Sequence, residues 1–117
     1  FRLIPPQPCR NDYLLYHIAS NSFKERDDGW VLKSDGKIMK TYKSKDLTDI
    51  LMGIKCPINI VYGLMSQIFT QEILDYTLYV GNIPNERVIG IPGTMHHLFV
   101  DDPLSVIDAL KKVIGED

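Results

Sequence analysis

Two adjacent histidines, His96 and His97, stand in the segment Gly93-Thr94-Met95-His96-His97-Leu98-Phe99-Val100-Asp101-Asp102-Pro103. Imidazole is the side chain best suited to take up and return a proton near neutral pH. A glycine, then a histidine, then an acid and a proline opening a helix make a compact arrangement. The loop projects the ring and the helix behind anchors it. An upstream loop, Gly63-Leu64-Met65-Ser66-Gln67-Ile68-Phe69, carries the hydroxyl of Ser66. A metal is not expected here, because neighbouring residues on an irregular loop rarely converge on one ion and no further ligand cluster stands nearby. His17 reads as an ordinary helix residue. Cys9 and Cys56 have neither metal spacing nor the look of a disulfide framework, so they read as free thiols and no cofactor is expected.

The elements that position these loops follow from periodicity. Residues 58–62, apolar apart from Asn59, read as a short, mostly buried strand ending at Gly63, with Cys56-Pro57 stopping a helix before it. That earlier helix has Leu47, Ile50, Leu51 and Ile54 at helical spacing, with Ser44 as its cap. A helix beginning near Thr70 places Ile73, Leu74, Thr77, Leu78 and Val80 on one side, and residues 87–91 form a second strand. Strand, helix, strand predicts a parallel pair with a right-handed crossover. The final helix has Asp102 as cap, Pro103 at its first position, Lys111 and Lys112 near its end, and Gly115 beyond it. Its stripe of Val106, Ile107, Leu110, Val113 and Ile114 needs a sheet to lie on. Toward the amino terminus, a helix near residues 13–19, capped by Asn11 or Asp12, is apolar almost all round and is expected to pack between layers. Residues 24–41 read as an irregular segment or weak hairpin.

Ligands of open parallel sheets bind beyond the carboxyl ends of the strands. If the two strands are neighbours, both loops lie on one rim, with Met65, Met95 and His97 as candidate pocket residues around His96. Two strands do not make a stable parallel sheet, which needs cover on both faces and neighbours on its edges. The missing strands are expected from an absent amino-terminal half or a second copy of the chain. The start at Phe1, running into Ile4-Pro5-Pro6-Gln7-Pro8, also reads as a cut inside something larger.

Composition narrows the class. The chain has 117 residues, 44% hydrophobic and 24% charged, with a net charge of -2, so a disordered chain is excluded. No basic face offers itself to nucleic acid. No apolar run reaches the ~20 residues of a membrane span and no leader opens the sequence, so a cytoplasmic location is expected.

The Gly93 to Pro103 segment resembles the terminal histidine motif of the α/β-hydrolase superfamily. Cys56-Pro57-Ile58-Asn59-Ile60-Val61-Tyr62-Gly63 resembles the preceding core strand, and the likeness runs from Ser44 to Gly115 in order and spacing. It implies a partial α/β-hydrolase fold, with parallel strands, packing helices and an incomplete sheet. Residues 1–43 would be the tail of a cap and residues 44–117 the carboxy-terminal part of the core. It further implies that His96 is the general base of a hydrolase acting on an ester or similar small acyl substrate. The nucleophile, by the family order, precedes these residues, and no Gly-x-Ser-x-Gly occurs among them. Where many relatives carry the catalytic acid this chain has Ser66, so the orienting carboxylate must come from elsewhere. The alternative is a non-catalytic, ligand-binding or interaction member of the same fold. In either case the chain alone is expected to be inactive.

Overall fold

The computed structural model describes residues 2–41 and 46–115. Helix α1 (Asp12–Ser22) leads into an antiparallel hairpin of β1 (Phe23–Arg26) and β2 (Gly29–Leu32), which pair from Phe23↔Leu32 to Arg26↔Gly29. A short turn of helix, α2 (Ile38–Thr41), follows. Then come α3 (Thr48–Gly53), β3 (Ile60–Gly63), α4 (Gln71–Gly81), β4 (Val88–Ile91), α5 (Leu98–Asp101) and α6 (Pro103–Ile114). The expected Ser44 cap and the boundary between residues 43 and 44 lie outside the described residues.

Helix α6 shows why its sequence stops and starts where it does. Asp102 accepts the Ser105 backbone N–H at 3.0 Å and the Ser105 hydroxyl at 2.7 Å, satisfying donors that the first turn leaves free. Pro103 occupies the first turn, and Gly115 ends the helix at φ 77°, a backbone state that costs glycine nothing. Thr70 caps α4, whose Leu74 is buried. At its other end Asn82 takes the left-handed conformation, φ 48°, and donates its N–H back into the helix.

Strands β3 and β4 are parallel, with Ile60 opposite Val88 and Gly63 opposite Ile91. α6 packs across both. This agrees with the expected strand–helix–strand unit, but the core around it is small. Among the described residues the buried apolar side chains are Leu74, Ile83, Ile91, Val100 and Ala109. Of the α6 stripe, Ile107, Leu110 and Ile114 remain exposed, as do Ile50 in α3 and Ile54 at its end. Helix α1 departs from expectation: it buries none of its residues, and Tyr13 and Tyr16 are about three-quarters exposed at 75% and 74%. Its all-round apolar surface needs a second layer, and no element among the described residues supplies one. The radius of gyration, 17.1 Å, exceeds the ~13 Å of a compact chain of this size. Among the described residues the parallel sheet has two strands, helices pack on it, and several apolar faces remain exposed.

Candidate active site

Both strands end in loops on one rim, and backbone hydrogen bonds lock the loops together. Leu64 N–H donates to Ile91 O at 3.2 Å and Met65 N–H donates to Thr94 O at 2.9 Å. Thr94 is 1% exposed and its hydroxyl donates to Ile91 O at 2.9 Å, closing the turn that follows β4. Gly63 lies under this crossing so closely that any side chain would collide. A Cβ there would overlap Met95 O and meet Thr94 O at 2.6 Å. Glycine at the end of β3 therefore sets how near the two rim loops approach.

That approach brings Ser66 and His96 to one cleft of about 370 Å³, together with Tyr62, Phe69, Thr77 and Leu98. The rings of Tyr62 and Phe69 meet edge to face, with centroids 5.5 Å apart, and give the cleft an apolar wall. Asn59 through Gly63, five consecutive residues, also line it. Successive side chains of a strand point to opposite faces. A run of this kind can line a single cleft only where the cleft follows the strand's edge. The cleft thus has two parts: a rim with His96 and Ser66, and a groove along the side of β3 that β4 does not occupy.

The other sequence-derived candidates are elsewhere. Met65 is exposed, Met95 is half-buried, and neither lines this cleft. His97 turns toward the amino-terminal segment, where its Nε2 lies 3.1 Å from Ile4 O. Its ring also stands edge-on to that of His96, with centroids 5.2 Å apart. Ser66 serves its own loop: its hydroxyl accepts the Phe69 N–H at 3.1 Å. Asp101 accepts the Met95 N–H at 2.7 Å, so it holds the histidine loop without facing the cleft. Hydrogen bonds from Ser105, the side chain first and then the backbone, hold the Asp102 carboxyl below its usual range. It is a helix cap. No cluster of potential metal ligands occurs among the described residues.

One contact had no signal in the sequence. Gln7, half-buried in the proline-rich segment, reaches the histidine loop from 90 residues away. It accepts the His97 N–H at 2.8 Å and donates to Asp101 Oδ2 at 3.1 Å.

A parallel pair with the histidine loop following β4 and a capped helix behind it can be compared with known folds. The solved structure of E-2-(acetamidomethylene)succinate hydrolase superposes with a TM-score of 0.69 at 20% identity, over 83% of this chain. The chain has part of an α/β-hydrolase fold. The match spans 37% of that hydrolase's length, consistent with a carboxy-terminal portion. No protein-family model and no curated protein sequence matches it. No helix among the described residues is long and apolar enough to cross a membrane.

Proposed function

We propose that the chain supplies the general-base histidine, His96, to a serine-type α/β-hydrolase acting on an ester or similar small acyl substrate. The nucleophile belongs to a segment outside these 117 residues. The observation that carries this reading is the position of His96 on the cleft at the carboxyl ends of the parallel strands. The groove along β3 is where a further parallel strand would bring the rest of the site. The similar solved structure is by name a hydrolase of a small acetamido compound, which favours a small acyl group over a polymer.

In this mechanism His96 removes the proton from the nucleophile's hydroxyl as the oxygen bonds to the substrate carbonyl carbon. The tetrahedral intermediate expels the leaving group, which takes the proton from the imidazolium. Water, deprotonated by His96 in turn, then releases the acyl group. Backbone N–H groups stabilise the oxyanion. An orienting carboxylate must come from another strand, since Ser66 can accept or donate a hydrogen bond but cannot balance an imidazolium.

The use of the Ser66 hydroxyl within its own loop favours a second reading, a ligand-binding or interaction member that kept the scaffold without the acid. Turnover of small esters by the complete protein separates the two. Under the catalytic reading His96→Ala lowers kcat/KM by about 10²–10⁴-fold, while His97→Ala acts mainly through loop stability. Absence of turnover in the complete wild-type protein supports the second reading, and an active His96→Ala variant sinks the first.

A further inference from the structure

The backbone N–H groups of the residues on either side of His96 are each held by a side chain. On one side Asp101 Oδ2 accepts the Met95 N–H at 2.7 Å. On the other the Gln7 Oε1 accepts the His97 N–H at 2.8 Å. The same Gln7 amide donates through Nε2 to Asp101 at 3.1 Å, with a longer approach of 3.5 Å to His97 O. Three hydrogen bonds, Met95 N–H to Asp101, Gln7 Nε2 to Asp101 and His97 N–H to Gln7, close a ring through the backbone from Met95 to His97. His96 is the middle residue of that backbone. The carbonyl of Ile4, 3.1 Å from the His97 imidazole, fixes the same segment a second time. Around it residues 2–10 alternate between exposed and half-buried, as an extended strap lying on a surface does.

We infer that Gln7 is a positioning residue for His96, through which the segment at the amino-terminal end sets the geometry of the histidine loop. The chemistry of the amide is what suits it. Gln7 must accept from one partner and donate to the other, which neither a carboxylate nor an apolar side chain can do. The inference rests on the reading of His96 as general base for its catalytic consequence, and on the hydrogen-bond ring alone for its structural one. A loop carrying a general base tolerates little misplacement, since catalytic groups must lie within hydrogen-bond reach of the proton they move. Tying the loop to a segment 90 residues away makes that placement depend on the strap being seated.

The test uses the complete protein and two variants, Gln7→Ala and Gln7→Glu. In Gln7→Ala, hydrogen exchange of the His97 amide should accelerate roughly tenfold or more, the His96 ring resonances should move, and kcat should fall with KM little changed. Gln7→Glu keeps an acceptor for the His97 N–H but sets a second carboxylate against Asp101 Oδ2, the atom that also accepts from Met95 N–H. It should therefore move the ring resonances and lower kcat as well. Unchanged His97 exchange in Gln7→Ala, or unmoved His96 ring resonances in both variants, overturns the inference, whatever His96→Ala does. Accelerated exchange together with full turnover in His96→Ala overturns instead the reading of His96 and with it the catalytic role of the ring.

Discussion

Replacing Gly63 by alanine should separate the two rim loops, and the size of the effect can be worked from the contacts. The new Cβ would overlap Met95 O and sit 2.6 Å from Thr94 O and 2.8 Å from Thr94 Oγ1. Two of these three are backbone atoms, which cannot swing aside as a flexible side chain does. Relief requires a movement of about 1 Å between β3 and the loop after β4, an overpacking strain of about 1–3 kcal/mol. The same movement weakens the 2.9 Å bond from Met65 N–H to Thr94 O, worth about 1 kcal/mol net. Together these predict a loss of about 2–4 kcal/mol, or a melting temperature lower by roughly 4–16 °C for a domain of about 150–250 residues. Gly36→Ala is the control, because a Cβ there meets nothing within 4 Å, and it should stay within about 0.5 kcal/mol of wild type. Thermal denaturation of the complete protein with each variant provides the measurement. A Gly63→Ala protein as stable as the Gly36→Ala control would refute the close-approach argument.

Three further outcomes are expected. Asn82 holds φ 48°, so Asn82→Ala should cost about 1 kcal/mol while Asn82→Gly is neutral or stabilising, and equal melting of the two would contradict the strain. The Asp102 carboxyl is held below its usual range by Ser105, so its contribution is full above the unfolded value near pH ~4 and is lost as pH falls through the lowered folded value. Asp102→Asn should accordingly flatten the acid side of the stability–pH curve, and parallel curves for the two proteins would count against the cap. Alone, the chain should self-associate through the free edge of β3 and the exposed apolar residues of α6. A strictly monomeric species by light scattering at high concentration would contradict that.

Much of the carboxy-terminal fold was legible because its signals are local. Asp102, Pro103 and Gly115 mark the ends of α6 by capping chemistry, and the strands around Val61 and Ile89 stand out as short apolar runs between turn residues. The shared rim of the Ser66 and His96 loops followed from their order in a parallel unit. The cleft's lining was only partly legible. Phe69 and Leu98 face it while Met65 and Met95 do not, because the loop hydrogen bonds from Met65 to Thr94 and from Met95 to Asp101 fix how the backbones run. Periodicity carries no information about such bonds. The amino-terminal region shows the opposite failure: α1 has an apolar surface on all sides, yet no element among the described residues buries it. Gln7 was invisible for a third reason, since its partners lie 90 and 94 residues away and its neighbours are mostly prolines.

The central claim is that His96 serves a nucleophile carried by another segment. Labelling the complete protein with a fluorophosphonate, followed by peptide mass mapping, tests it most directly, because only a serine activated by its base reacts rapidly. The label should fall on a serine outside these 117 residues, and His96→Ala should abolish fast labelling while leaving the protein folded. A label on Ser66, or labelling that His96→Ala leaves unchanged, would contradict the account.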